Sequence, residues 1–206
     1  IGTIYQKDLK QIVIFNIVIS LGVMVCGTAT LNTFGVKGAL FYAVNDILLK
    51  AALFIVVGLI IYVSGVKYLQ KCGLINKYPL LGWTYFIIVL SLAGVPPFSG
   101  FYGKALIIKG LVTNNNTFIA ILVALSGLVV FYSLIRIFLN VFYDNINKSL
   151  ILKPLPKGVQ IPLIAIVAIA LIIGVSTNLL DGFFDKGIQM VLNPQHYIDL
   201  VLKKGA

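Results

Sequence analysis

Apolar residues run through this chain in blocks of membrane-crossing length, separated by short connectors, and most of its lysine and asparagine lies outside the blocks. A transmembrane helix needs about 20 consecutive apolar residues, and the blocks at 11–31, 37–63, 79–112, 117–142 and 161–179 predict five spans. The third block differs from the others. Its 34 residues would make a helix of about 51 Å, too long for one straight crossing and too short for two. Pro96 and Pro97 interrupt it, with Gly94 and Gly100 on either side. Tandem proline removes two backbone donors and clashes with the preceding turn, so the pattern predicts a break between Val95 and Ser99. Unpaired backbone at that depth is tolerated only where it is buried in protein or lines a cavity.

Past the last block, DGFFDKGIQMVLNPQHYIDLVLKK mixes apolar and polar residues at helical spacing and contains Pro194, the pattern of a surface-lying amphipathic tail. The single histidine, His196, belongs to this tail and is read as interfacial. The predicted fold class is therefore all-α: a polytopic membrane bundle of about five helices over residues 1–180, one of them broken at Pro96-Pro97, followed by an amphipathic tail over 181–206.

Composition agrees with the block pattern. Hydrophobic residues make up 60% of the chain and charged residues 11%, with a mean hydropathy of +1.04, values of an integral membrane protein. The net charge of +10 does not point to nucleic acid, because the basic residues sit in connectors and form no continuous basic surface. Membrane lipid is the expected surrounding. Cys26 lies in an apolar block and Cys72 in a basic connector, a spacing that suits two unrelated free thiols better than a disulfide or a metal site. No catalytic or metal-binding pattern is present. The chain starts at Ile1 with no signal-peptide pattern and reads as part of a longer protein.

The connectors also decide how often the third block crosses. With one crossing, nine basic residues, among them Lys67, Lys71 and Arg136, fall on one side and four on the other. Two crossings give eight against five, a poorer match to the excess of Lys and Arg in cytoplasmic loops. One broken crossing is the expectation, with the DLK segment and the 64–78 and 143–160 connectors inside and Asn114-Asn115-Asn116 outside. Trp83, Tyr62, Tyr78 and Tyr143 then fall at span boundaries, as interfacial aromatics do. Gly22, Gly27, Gly58 and Gly127 are candidate helix contacts.

Charges inside the apolar blocks are the candidate chemistry, since an intramembrane charge is costly and normally faces protein or water. Lys50 lies 13 residues from both Lys37 and Val63, about 20 Å of helix and beyond the reach of snorkelling. Asp46 precedes it by four residues, which places carboxylate and ammonium on one helix face in the favoured acid-first order. Asn45 adds an amide. The pair reads as a relay that loads and releases protons, the alternative being a self-neutralised pair that only helps helices pack. Lys104 follows the proline break by seven residues. A charge beside unwound backbone at the midplane is how transporters build ion sites, and free carbonyls and water near Val95 to Gly100 are expected to share its proton. Gly103 leaves room for close approach by another helix or by water. Lys109, one turn on, reads as a snorkelling lysine and a secondary candidate.

The stretches DLKQIVIFN, FYAVNDILLKAALFIVVG, KYPLLGWTYFIIVLSLAGVPPFSGFYGK and YSLIRIFLNVFY resemble the proton-conducting membrane subunits shared by multisubunit sodium/proton antiporters of the Mrp or Mnh type and respiratory complex I. LAGVPPFSGFYGK is the most specific part and looks like the family's discontinuous twelfth helix. GFYGK and YPLLGW bring the chain closer to the D-type subunits of the antiporters than to the complex I members. The resemblance implies a 14-helix protein with two inverted five-helix repeats, of which this chain holds most of the second repeat and the final helix. Lys104 takes the place of the broken-helix lysine, Lys50 that of the preceding span, and Asp46 that of an acid often preceded by histidine. Here Asn45 stands in the histidine's position, which removes one titratable group.

The implied function is a subunit of a hetero-oligomeric monovalent-cation/proton antiporter in the cell membrane, with partner subunits, transported H+ and Na+, and no cofactor. Two alternatives stay open: a proton-pumping membrane subunit of an NADH-quinone oxidoreductase-type complex, and a structural membrane scaffold in which buried charges only pair.

Overall fold

The computed structural model describes residues 2–143, 152–156 and 158–175. The predicted tail over 181–206, with His196, lies outside the described residues. Among those described, seven α-helices follow in order: α1 (Gly2–Tyr5), α2 (Leu9–Thr28), α3 (Thr33–Ser64), α4 (Pro79–Ala93), α5 (Ser99–Thr113), α6 (Thr117–Ile137) and α7 (Gln160–Val175). A π-helical turn, Phe138–Tyr143, continues α6. Three of the described helical stretches are long and apolar enough to cross a membrane on their own: α2, α3 and Thr117–Tyr143. α4 and α5, at 15 residues each, are about 22 Å long and cross only as a pair.

Local signals set the helix ends. Asp8 caps α2 by accepting from the backbone N–H of Lys10 at 2.8 Å and of Gln11 at 3.3 Å, and Asn32 caps α3 by accepting from Gly35 N–H at 2.7 Å. Gly65 (φ 71°) ends α3 in the left-handed conformation. The first turns of α3 include Lys37, which the hydropathy pattern places just at the start of the second block. α3 is central and packs on α2, α4, α5 and α7.

The ends of the helices sort into two groups, and the sorting settles the crossing number. At one end, Leu9 N–H donates to Lys67 O (3.0 Å), Leu69 N–H to Lys7 O (2.8 Å), Lys153 N–H to Val63 O (3.0 Å) and Tyr78 Oη to Lys153 O (2.8 Å). Arg136 donates to Ile4 O at the same end. At the other end, Asn32 Nδ2 donates to Gly110 O at 2.7 Å, and Asn114 Nδ2 to Thr30 O at 2.6 Å. α4 thus begins at the first end and α5 finishes at the second, so the third block crosses once, broken in the middle. The N-terminal segment, the 64–78 connector and residues 152–156 share one end, opposite Asn114–Asn116. Trp83, Tyr62 and Tyr143 are exposed at the first end, and Tyr78 is half-buried there. Cys26 and Cys72 are free thiols.

The outward faces of α2 and α6 are apolar, with Val18, Val25, Phe118, Ile121 and Leu128 each at least half exposed, the surface that lipid or further helices cover. Inside, α3 and α5 touch backbone to backbone. A Cβ placed on Gly103 would lie 2.9–3.0 Å from the backbone and Cβ of Tyr42, on Gly38 2.7 Å from Ile107 N, and on Gly110 2.5 Å from Gly35 N. Small residues allow this approach. Of the four glycines singled out in the sequence, Gly27 and Gly127 are such contacts, while Gly22 and Gly58 have nothing within 4 Å. Hydropathy does not distinguish these cases, because the packed and the open glycines alike lie in uniformly apolar runs.

Candidate functional site

The break lies where tandem proline predicts it. Gly94 (φ 82°) closes α4, Val95 N–H reaches back to Leu90 O at 3.1 Å, and α5 starts at Ser99. The consequence reaches one turn further back than the sequence pattern suggests. In a continuous helix the carbonyls of Leu92 and Ala93 would accept from residues 96 and 97, and both of these are proline, with no N–H to give. The ammonium of Lys104 supplies the missing donors, bonding Leu92 O at 3.0 Å and Ala93 O at 2.8 Å. The oxygens that share its proton are therefore those of Leu92 and Ala93, and not carbonyls between Val95 and Gly100.

Small residues make room for this arrangement. A Cβ on Gly100 would stand 1.8 Å from Ser91 O, and Cβ atoms on Gly94 and Gly127 would each lie 3.4 Å from Lys104 Nζ. A cavity of about 430 Å3 lined by Ala93, Gly94, Pro96, Gly127 and Phe131 adjoins the break. Ser99 Oγ, in the first turn of α5, donates to Asn45 Oδ1 at 2.5 Å and lies 3.1 Å from Ser91 Oγ. Asn45 thus holds the break to α3 rather than assisting Lys50.

Lys50 and Asp46 form the predicted pair, with Nζ 2.7 Å from Oδ2. Both are buried, at 7% and 4% exposure. Lys50 also donates to Asn16 O at 3.1 Å, and Ser20 Oγ donates to Asp46 Oδ1 at 2.9 Å. Ser20 Oγ is 3.3 Å from Tyr42 Oη, and the Tyr42 ring centroid is 5.6 Å from Lys104 Nζ. On the far side of Lys50, Asn16 Nδ2 donates to Ser133 Oγ of α6 at 3.1 Å. One buried polar line therefore runs from Ser133 through Asn16, Lys50, Asp46, Ser20 and Tyr42 to Lys104 and the broken helix. Among the described residues every buried side-chain nitrogen and oxygen has a hydrogen-bond partner. Lys109 is exposed, its Nζ 3.9 Å from the Phe34 ring centroid, and stands off the line.

Sequence reasoning picks out Lys50, Asp46, Lys104 and the break but misses Asn16, Ser20, Tyr42 and Ser133. Asn16 and Ser20 did leave a signal: two polar residues four apart in an otherwise apolar span share a helix face. Tyr42 likewise precedes Asp46 by one turn.

Residues 1–130 match the sequence profile of the family described as NADH:quinone oxidoreductase/Mrp antiporter, TM. The chain is 37% identical over 210 residues to the D subunit of the Na(+)/H(+) antiporter of Bacillus subtilis (strain 168), a match covering 99% of this chain and 42% of that protein. It is 34% identical over 210 residues to the putative antiporter subunit mnhD2 of Staphylococcus haemolyticus (strain JCSC1435), with the same coverage of each. Its fold superposes on a chain of the Mrp complex from Dietzia sp. DQ12-45-1b with a TM-score of 0.91 at 21% identity, over 98% of this chain and 46% of that one. It also matches a chain of respiratory complex I from Thermus thermophilus with bound NADH, at a TM-score of 0.79, 22% identity and coverage of 93% and 40%. The chain spans 42% of the length of the Bacillus and Staphylococcus relatives.

Proposed function

Because this chain belongs to the membrane-subunit family shared by NADH:quinone oxidoreductases and Mrp antiporters, we propose that its polar line is part of a proton pathway in a subunit of a multisubunit monovalent-cation/proton antiporter of the cell membrane. One observation supports this above all: two buried lysines on separate helices are joined by successive side-chain contacts, an ion pair and hydrogen bonds from Lys50 through Asp46 and Ser20 to the Tyr42 hydroxyl and a 5.6 Å ring contact from Tyr42 to Lys104. A scaffold accounts for the Asp46–Lys50 pair and for the bonds of Lys104 to Leu92 O and Ala93 O separately, but gives no role to the Ser20 and Tyr42 contacts that link the two.

Chemically, the line offers two places to hold a proton. Asp46 neutralises the Lys50 ammonium, and a proton arriving on the carboxylate would free the amine partner to change its contacts. At the other end the Lys104 ammonium satisfies two carbonyls that proline has stripped of their donors. A proton passing from Lys104 to water leaves a neutral amine that still donates two hydrogen bonds, so the break survives the charge change. Partner subunits would complete the pathway, and sodium would move elsewhere in the assembly, consistent with the named function of the Bacillus relative.

A second reading, membership in a dehydrogenase-linked pump, draws on the likeness to complex I, but that likeness is one of fold. Greater identity to the antiporter relative favours the first. In everted membrane vesicles carrying the full-length protein, Lys104→Ala should abolish sodium-dependent proton exchange. Exchange at the original rate would remove Lys104 from the pathway.

A further inference from the structure

We propose that Tyr42 is a positioning residue that couples Lys104 to the Asp46–Lys50 pair, an inference that rests on the proton-pathway reading above. Tyr42 is 2% exposed and stands between the two charged centres, using a different part of its side chain toward each.

Its hydroxyl end has a defined sense. Ser20 has one proton to donate, and the carboxylate of Asp46 at 2.9 Å is a stronger acceptor than the Asn16 carbonyl at 3.2 Å. With that proton given to Asp46, the 3.3 Å contact between Ser20 and Tyr42 has the tyrosine as donor. Two hydroxyls thus point in series at one carboxylate. Protonating Asp46 weakens the acceptor at the end of the series and loosens Tyr42.

The ring end faces the other lysine. Lys104 Nζ lies 5.6 Å from the ring centroid, within range of a cation–π attraction that exists only while the amine is charged. Gly103 seats α5 on the backbone of Tyr42, so the lysine next to it has a fixed station relative to the ring. Among the described residues, the charged groups that act on Tyr42 are Lys104 from α5 and, one turn along its own helix, Asp46, which is paired with Lys50, while α2 contributes the neutral Ser20. A proton on Lys104 strengthens the ring contact, and a bare carboxylate at Asp46 strengthens the hydroxyl contact. Both act on one rigid side chain, so each state favours the other, and the coupling is reciprocal.

The test uses the full-length protein in its complex, in everted vesicles, with sodium-dependent proton exchange measured against pH. Tyr42→Phe keeps the ring and cuts the hydroxyl series. Its maximal rate should fall severalfold, because the hydroxyl belongs to the line, and the pH profile of the remaining exchange should move by about half a unit or more. Ser20→Ala should move the profile in the same direction, and the double variant should move it no further than either single change. Tyr42→Leu removes the ring as well and should lower the maximal rate about tenfold, the size expected for a desolvated cation–π contact. Immunoblots of the membranes normalise each rate to protein present. Unmoved profiles in Tyr42→Phe and Ser20→Ala, or shifts that add in the double variant, overturn the coupling. Lys104→Ala serves as the control: exchange retained there overturns the underlying pathway as well, whereas exchange lost there with unmoved profiles overturns the coupling alone.

Discussion

Replacing Lys104 by methionine tests whether the lysine and the two prolines act as one device. The substitution keeps an unbranched side chain but removes all three N–H donors. Leu92 O and Ala93 O, now bonded at 3.0 and 2.8 Å, would face Pro96 and Pro97 with nothing to accept from. A buried acceptor left unmatched costs about 1–3 kcal/mol, so the two together cost about 2–6 kcal/mol, less whatever water entering the adjoining cavity offsets. Lys104→Gln separates the two roles, since its amide donates without carrying charge and should recover part of the loss. Adding Pro97→Ala to the methionine variant returns a possible donor to Ala93 O and should also recover stability. Unfolding of the purified full-length protein by SDS titration measures the differences. Exchange should be absent in both the methionine and the glutamine variant, because neither carries a proton. A methionine variant as stable as the original, or one that Pro97→Ala only worsens, would refute the pairing of lysine with proline.

Other expectations follow from the same geometry. Gly100→Ala brings a Cβ to 1.8 Å from Ser91 O, so α5 must shift by more than an ångström; exchange should drop about 100-fold with Lys104 still present, while Gly22→Ala, with open space around it, should leave the rate near its original value. Asp46→Ala leaves the Lys50 ammonium buried without its counter-charge and should cost about 3–5 kcal/mol in the same SDS titration, whereas the double change Asp46→Leu with Lys50→Met should cost less than Asp46→Ala alone. Cys72 is 1% exposed and burial pushes its thiol up, so thiolate is scarcer than usual at pH 7–8 and maleimide labelling should be slow until the protein is unfolded or the pH is raised well above that range. For the orientation, cysteines introduced at Lys67 and Asn115 should be labelled by impermeant reagents from opposite sides of the membrane, Lys67→Cys from the cytoplasm; labelling of both from one side would contradict the single broken crossing.

Which features were readable in advance depended on how local their causes are. The Lys50–Asp46 pair needs only the pitch of one helix, and the break needs only the chemistry of proline, so four residues and a dipeptide sufficed. The match of Leu92 and Ala93 with Pro96 and Pro97 was equally local, a spacing of four, but its partner, Lys104, required the fold of α5 back along α3. Ser20, Asn16 and Ser133 come from helices whose sides are nearly all apolar. In such helices a hydrophobic stripe does not mark the inner face, so neither the facing of Ser20 toward Asp46 nor the 117-residue separation between Asn16 and Ser133 could be inferred. The glycines show the same limit: Gly22 and Gly27 look alike in sequence, and only the neighbouring helix crowds one of them.

Where α5 rests directly on the main chain of α3, at Gly103 and Gly110, no flexible side chain intervenes to take up slack. Rotamer hopping, a change of lipid or a few degrees of temperature all alter side-chain packing, yet a main-chain stop has no alternative setting to adopt. The spacing between the main chain at Tyr42 and the base of the Lys104 side chain is consequently a built-in length of the protein.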